Sequence, residues 1–158
     1  MVTLLGRQMM SVEHLETLAR EAKMDGRFAD ALRNRLAMKE HFERHGGSVK
    51  AVTNNLNMIA FLAIQLEETN LAENSARECL CLYAKSISTP DERLATYYTM
   101  LSCVLAECKN FEEAVLYGEQ GVPIFRTLFG ADDCFVREWE DKIDCMRRKE
   151  PRLYLERT

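Results

Sequence analysis

Large apolar residues and small residues recur along the chain with a spacing of 41 to 42 positions. The segment LETLA at 15–19 is matched by LNMIA at 56–60 and by YTMLS at 98–102. Each segment places large side chains four positions and one position before a small residue. Three other landmarks keep the same period: Ala31, Ala72 and Ala114; Val52, Leu94 and Val136; and Gly46, Ser88 and Gly130. Four landmarks with one period predict an internal structural repeat.

Each repeat unit has the pattern of two packed helices. Small residues such as Ala60 and Ser102 would let the first helix of a pair approach the second closely, while large neighbours fill the adjoining grooves. One pair cannot bury its apolar face alone, so three pairs are expected to stack around one core. Thr89 is expected to cap the fifth helix ahead of Pro90. We predict helices near 11–24, 28–45, 49–67, 71–87, 91–108, 111–129 and 133–149.

The seventh helix departs from the repeated pattern. Glu140 stands where the earlier units have a large residue, and Asp144 stands where they have a small one. Because no further pair follows, this helix is predicted to cap the stack. Its apolar stripe, which is expected to face inward, consists of Phe135, Val136, Trp139, Ile143 and Met146.

Composition agrees with an ordinary helical globule. Of the 158 residues, 47% are apolar and 29% are charged, and only three are proline, so helix is favoured nearly throughout. The net charge is −4, with basic residues scattered along the chain, which disfavours nucleic acid or an anionic membrane as a partner. No apolar run is long enough to span a membrane.

The cysteines and histidines do not form a metal pattern. The six cysteines include no CxxC pair, and the opening residues MVTLLGRQMM do not have the form of a secretory signal. We therefore expect reduced thiols, a cytoplasmic location and no cofactor. His41 and His45 have a metal-binding spacing, but no third ligand is evident, and imidazolium suits a helix C-terminus.

Three segments resemble tetratricopeptide repeats, in particular the longer 42-residue kind found in kinesin light chains. VTNNLNMIAFL at 52–62 is similar to that family's first helix, NFEEAVLYGEQG at 110–121 to its second helix, and FGADDCFV at 129–136 to its connector. The resemblance covers about 11–149. It implies an all-α fold, a right-handed α-α superhelix of three tetratricopeptide-type helix pairs plus a C-terminal capping helix. The repeats are expected at 11–45, 48–87 and 90–129 and the cap at 132–149, with an N-terminal extension at 1–10 and a tail at 150–158.

The resemblance also implies where a partner would bind. In such folds the first helices line a concave groove, and Asn57 occupies the position of the family's groove asparagine. An amide there can donate to and accept from the backbone of an extended peptide. Solvation or a bridge between helices is the alternative use of such an asparagine. The groove candidates are Glu16, Arg20, Asn54, Asn57, Phe61, Thr96, Thr99 and Cys103.

One known ligand class is disfavoured. Some tetratricopeptide proteins grip a chaperone's terminal carboxylate with Lys, Asn and Arg residues on these helices. The corresponding positions here include only one cation, Arg20, and otherwise hold Glu16, Met58, Thr96 and Met100. A carboxylate clamp for chaperone tails is therefore not expected.

Three functions of different classes remain open from the sequence. The first is a non-catalytic module or adaptor that binds a peptide or helix of a protein partner in the groove. The second is a structural subunit that docks through its convex face or through its termini, MVTLLGRQMM and RLYLE. The third and weakest is a thiol-dependent enzyme acting through Cys134, because the sequence contains no recognised catalytic motif.

Overall fold

The computed structural model describes residues 10–155, and this part of the chain consists of seven α-helices without a strand. Residues 1–9 of the N-terminal extension and residues 156–158 of the tail lie outside the described residues. Within 10–155 no helix has both the length and the apolar character needed to cross a membrane. The helices are α1 (Val12–Met24), α2 (Phe28–His45), α3 (Val49–Gln65), α4 (Thr69–Ser86), α5 (Glu92–Glu107), α6 (Phe111–Phe129) and α7 (Cys134–Arg147).

The helices form three successive pairs and a closing helix. The main contacts join α1 to α2, α3 to α4 and α5 to α6, while α2–α3 and α4–α5 contacts stack the pairs. Helix α7 packs against α6 and closes the stack. The predicted all-α repeat architecture is confirmed. The repeat limits given above each enclose one pair and remain a proposal, and the right-handed twist stays a prediction.

Four helices begin with a side-chain cap. Ser11, Ser48, Asp91 and Asp133 each accept a hydrogen bond from a backbone N–H in the first turn, which satisfies a donor that has no partner inside the helix. The expectation of Thr89 as the cap of α5 is wrong. The cap is Asp91, two residues later, because its carboxylate reaches the N–H of Leu94 at 2.9 Å.

The same turn ends every first helix. Gly26, Glu67 and Lys109 follow α1, α3 and α5 with φ of 73°, 61° and 63°. After each of them, a backbone N–H bonds back to the carbonyl five residues earlier, as in Arg27 to Ala22. Lys149 has φ of 54° after α7, and the matching bond joins Glu150 to Cys145. The capping helix therefore ends as if a second helix were to follow, but Pro151 and the tail come instead.

The small residues mark the closest contacts, as the repeat pattern predicts. Ala60, Ser102 and Ala114 are fully buried. The Ser102 hydroxyl donates a 2.6 Å hydrogen bond to the carbonyl of Ala114, so a side chain of α5 contacts the backbone of α6 directly. A Cβ added at Gly118 would stand 2.9 Å from Ile143 of α7, which shows how closely the cap approaches α6.

The apolar stripe of the cap is confirmed in four of its five residues. Val136, Trp139, Ile143 and Met146 are buried. Phe135 is 42% exposed, so its inward placement is wrong. It lies in the first turn of α7, and its ring packs edge-on against Phe125 of α6 on one side only.

One charged residue is buried in the first half of the stack. Arg35 of α2 is 7% exposed, and its guanidinium lies 3.9 Å from the carboxylate of Glu16. Burial is the main cause that lowers the pKa of Arg35, against the opposing effect of Glu16. Its carbonyl accepts a 2.9 Å hydrogen bond from Asn55, which ties α2 to α3.

Candidate functional site

An open recess of about 490 Å³ lies between α3 and α5, the first helices of the second and third pairs. We call it the α3–α5 recess. It brings together the side chains of several predicted groove residues and of the turn before α5. Its lining consists of Lys50, Asn54, Asn57, Tyr83, Asp91, Glu92, Arg93, Thr96 and Tyr97.

Buried tyrosines form the floor of the recess. The rings of Tyr83 and Tyr97 pack edge to face with centroids 5.3 Å apart. The Tyr97 hydroxyl donates to Thr53 of α3 at 3.1 Å and accepts from Arg93 at 3.4 Å. Because both rings are held by packing and by hydrogen bonds, the floor is rigid and would lose little entropy on binding.

The rim offers polar side chains from both helices, although the Thr96 hydroxyl already donates to the Glu92 carbonyl at 2.9 Å. Asn54 and Thr96 are exposed on facing helices, and Asn57 is half-buried between them. The Asn57 Oδ1 atom is shielded from solvent and has no hydrogen-bond partner within residues 10–155. A buried acceptor without a partner costs free energy of about 1–3 kcal/mol, so a donor that reached it would be favoured.

The charged groups around the recess differ in the hydrogen bonds and ion pairs that they form. Asp91 caps α5 and accepts a 2.7 Å hydrogen bond from Tyr83. Burial acts to raise the pKa of Asp91, but the hydrogen bonds from Tyr83 and Leu94 lower it overall. Lys50 and Arg93 form no ion pair with another residue of the described range. Both cations nevertheless attract the Asp91 carboxylate, so the lining, which also holds exposed Glu92, carries two positive and two negative charges.

The structure brings Asn54, Asn57 and Thr96 together in the recess, as the resemblance implies. The three other exposed or half-exposed candidates lie elsewhere. Glu16 and Arg20 are exposed on α1, and Phe61 is half-buried on α3 with the Lys23 ammonium 4.7 Å from its ring centroid. These three residues stand outside the α3–α5 recess.

The expectation that Thr99 lines the groove is wrong, because Thr99 is buried. Cys103 is buried as well and is not open to the groove, because the tail covers it. Thr99 is turned about 60° from Thr96 around the helix axis. Its methyl group contacts the Gly121 position of α6, and its hydroxyl bonds back to Ala95 within the helix. Cys103 lies on the same face as Thr96, but Tyr154 of the tail covers it, and its thiol donates to the Tyr154 carbonyl at 3.3 Å.

Two lining residues that the sequence analysis missed had a usable signal. Lys50 precedes Asn54 by four positions, and Arg93 precedes Thr96 by three positions. Residues at these spacings share one face of a helix, so both extend the predicted groove face by one turn. Tyr83 had no such signal, because it comes from a second helix and enters the floor only through tertiary packing.

The residues considered for metal binding and thiol chemistry stand apart. His41 and His45 pack against each other with ring centroids 4.6 Å apart, and no set of three potential metal ligands is gathered anywhere in residues 10–155. Cys134 is exposed at the start of α7. No second polar group of the described chain is hydrogen-bonded to its thiol.

Comparison with known families supplies the deciding observation. Residues 94–133, which contain nearly all of α5 and the whole of α6, match the family model described as Tetratricopeptide repeat. The chain contains a tetratricopeptide repeat at residues 94–133. The 42-residue kind named from the sequence fits this match. A search of curated proteins found no match.

Tetratricopeptide repeats generally mediate contacts between proteins. In this chain, the matched repeat supplies part of one wall of the α3–α5 recess, through Thr96 and Tyr97 of α5. The opposite wall, with Asn54 and Asn57, belongs to the preceding pair. The recess is thus a junction between two units of the repeat.

Proposed function

We propose that this chain is a non-catalytic, cytoplasmic binding module that holds an extended segment of a partner protein in the α3–α5 recess. The observation that carries the proposal is the convergence of Asn54, Asn57 and Thr96 from two helices on one open recess. Asn57 contributes an acceptor that has no partner inside the described chain. These groups fit the donors and acceptors of a peptide backbone.

The shape and chemistry of the recess favour a peptide over a small molecule. Its floor is aromatic and rigid, while its rim is polar and open to solvent, so a bound segment would enter from the side. Amide and hydroxyl groups on the rim read backbone rather than side chains, which permits several partner sequences.

The test compares the full-length chain with a groove variant, Asn54→Ala/Asn57→Ala, in quantitative affinity capture from the source cells. The control is Asn74→Ala, which removes an exposed asparagine from α4, a second helix outside the recess. We expect recovery of specific partners to fall at least tenfold for the groove variant, because each lost hydrogen bond costs about 1 kcal/mol. Equal recovery by both variants would reject binding in the recess.

A structural subunit is the second candidate, and one observation favours it. Phe129 and Phe135 are 43% and 42% exposed where α6 meets α7, and their rings are in contact. Such aromatic exposure suits docking through an end of the stack. Docking through the RLYLE tail is not supported, because Tyr154 is buried against this chain's own helices. If Phe129→Ser/Phe135→Ser abolishes partner capture while the groove variant does not, the second candidate replaces the first.

A further inference from the structure

Residues 150–155 of the tail lie against α5 and α7 outside any helix, and the chain bends at Tyr154 and Leu155. Tyr154 is 3% exposed, and its ring packs against Phe111 with centroids 6.1 Å apart. A chain end without secondary structure normally stays in solvent unless side chains hold it. The buried tyrosine shows that this segment is held.

The helices hold the tail chiefly through its backbone. The Glu107 carboxylate accepts hydrogen bonds from the N–H groups of Tyr154, at 2.7 Å, and Leu155, at 3.2 Å. The Cys103 thiol donates to the Tyr154 carbonyl. Side chains on α5 thus bind both N–H and C=O groups of a segment that lies outside any helix, which is the way such folds are expected to hold a foreign peptide.

An arginine two residues earlier completes the binding pattern. The guanidinium of Arg152 donates to Asp141 of α7 at 3.0 Å, and it lies 5.9 Å from the centre of the Tyr154 ring. Leu153 between them is 57% exposed and makes no comparable contact. The recognised pattern is therefore arginine, any residue, tyrosine, in a segment that bends at the tyrosine.

The tail lies on the same face of α5 that lines the α3–α5 recess. Cys103 and Glu107 follow Thr96 by seven and eleven positions, which places all three within about 40° of one another around the helix axis. Thr96 and Cys103 are separated by about 10 Å along that axis, a distance that three extended residues span. One bound segment could therefore contact both places.

We propose that Cys103, Glu107 and Phe111 form a peptide subsite for a partner segment that carries tyrosine two residues after arginine, and that residues 150–155 fill this subsite in competition with the partner. This proposal rests on the proposed groove binding. It specifies which partner residues would bind at the part of the groove formed by the end of α5. The tail is tethered a few residues from the subsite, so its effective concentration is of the order of 1 mM. A partner must displace it.

The test measures fluorescence anisotropy of a labelled peptide with the sequence of residues 148–155, RKEPRLYL, added to the full-length chain. The Tyr154→Ala chain, whose own tail no longer fits, should bind the peptide at least tenfold more tightly than the wild-type chain. Leu153→Ala is the matched control in the same tail and should behave like wild type. Adding Glu107→Ala to Tyr154→Ala should abolish the gain, and a peptide with alanine for tyrosine should not bind.

Several outcomes would overturn the subsite. The first is equal peptide affinity for the wild-type and Tyr154→Ala chains. The second is equal affinity of the Tyr154→Ala chain for the peptides with and without tyrosine. The third is a wild-type dimer that dissociates on Tyr154→Ala, which would assign the tail to a second copy. Circular dichroism checks that the variant is folded. If the variant is unfolded, hydrogen exchange in the wild-type chain is measured instead. The Tyr154 amide should exchange at least tenfold more slowly than the Leu153 amide. Equal rates would contradict the proposal.

The tail-peptide test and the groove-variant test can fail independently of each other. The Asn54→Ala/Asn57→Ala comparison does not alter the tail, so its failure would remove binding in the α3–α5 recess whatever the tail peptide does. Failure of the tail peptide to bind the Tyr154→Ala chain, with partner capture still dependent on Asn54 and Asn57, would remove only the subsite.

Discussion

The hydroxyl of Tyr83, at the end of α4, donates a 2.7 Å hydrogen bond to the carboxylate of Asp91, which caps α5. This bond joins two successive pairs at the edge of the α3–α5 recess. Burial first, and then Asp91, raises the pKa of Tyr83, so the hydroxyl keeps its proton at neutral pH. The position of the recess floor therefore depends on this bond.

Tyr83→Phe should destabilise the fold by about 1–2 kcal/mol, because it removes a hydrogen bond to a charged acceptor and keeps the ring. The measurement is the urea unfolding midpoint. Tyr98→Phe is the control, since the Tyr98 hydroxyl makes no hydrogen bond within residues 10–155. A loss for Tyr83→Phe no larger than the loss for the control would contradict the role given to this bond.

The contribution of Asp91 to stability should depend on pH. Because its folded-state pKa is below the ordinary value, its stabilising effect is complete above the unfolded pKa of about 3.9 and is lost as pH falls through the folded pKa. Asn can still cap the helix but carries no charge. We expect wild type to exceed Asp91→Asn in unfolding free energy at pH 6, by an amount that shrinks at pH 3. The same difference at both pH values would refute the assignment.

Replacing Lys109 with glycine should stabilise the protein. Lys109 has φ of 63°, a left-handed conformation that costs a residue with a side chain about 1 kcal/mol and costs glycine almost nothing. Gly26 fills the same place in the first pair. We expect Lys109→Gly to raise the unfolding free energy by about 0.5–1 kcal/mol. Lys109→Ala controls for the lost side chain and should give no gain.

These turns show what the sequence could and could not reveal. The period of small and large residues predicted the helices and their pairing, because close packing restricts residue size at every unit. It did not reveal that Glu67 and Lys109 take the place of Gly26, since hydrogen bonds of the turn impose φ without requiring a particular residue. Local sequence signals therefore predict helices better than they predict turns of this kind, because the surrounding tertiary structure compensates for the strain in the turn.

The candidate site was predictable only along each helix. Spacing placed Asn54 and Asn57 on one face of α3, and the resemblance placed that face in a groove. The sequence could not reveal that Tyr154 covers Cys103, because this contact joins residues 51 positions apart and the tail has no periodic pattern of apolar residues. Nor could it separate Thr99 from Thr96, since the way α6 packs decides which of the two is buried.

Gly121→Ala should destabilise the protein although alanine favours helix. A Cβ there would stand 2.9 Å from the Thr99 methyl group and 3.0 Å from the carbonyl oxygen of Ala95, and the backbone oxygen cannot move aside cheaply. Overpacking of this kind costs about 1–3 kcal/mol and helix propensity returns about 1 kcal/mol. We expect a net loss in urea unfolding free energy. Gln120→Ala, on the exposed side of the same turn, should change stability by less than about 0.5 kcal/mol.

The cysteines should divide into two groups in thiol labelling. Burial is the main cause that raises the pKa of Cys79 and of Cys103 to about 12. At pH 8 such thiols hold far less thiolate than an ordinary one, so both should react roughly 100- to 1,000-fold more slowly with iodoacetamide than a free cysteine does. Exposed Cys81 and Cys134 should react at ordinary rates, as peptide mass spectrometry over time would show.

The same labelling experiment bears on the thiol-enzyme hypothesis and on the tail. An ordinary rate at Cys134 would leave that hypothesis without support, whereas a rate well above that of Cys81 would revive it. Tyr154→Ala should accelerate labelling of Cys103, because the tail that covers this thiol is released, while Cys79 stays slow because Thr53 and the α3–α4 contact still enclose it. Equal acceleration of both thiols would indicate general loosening of the core rather than release of the tail.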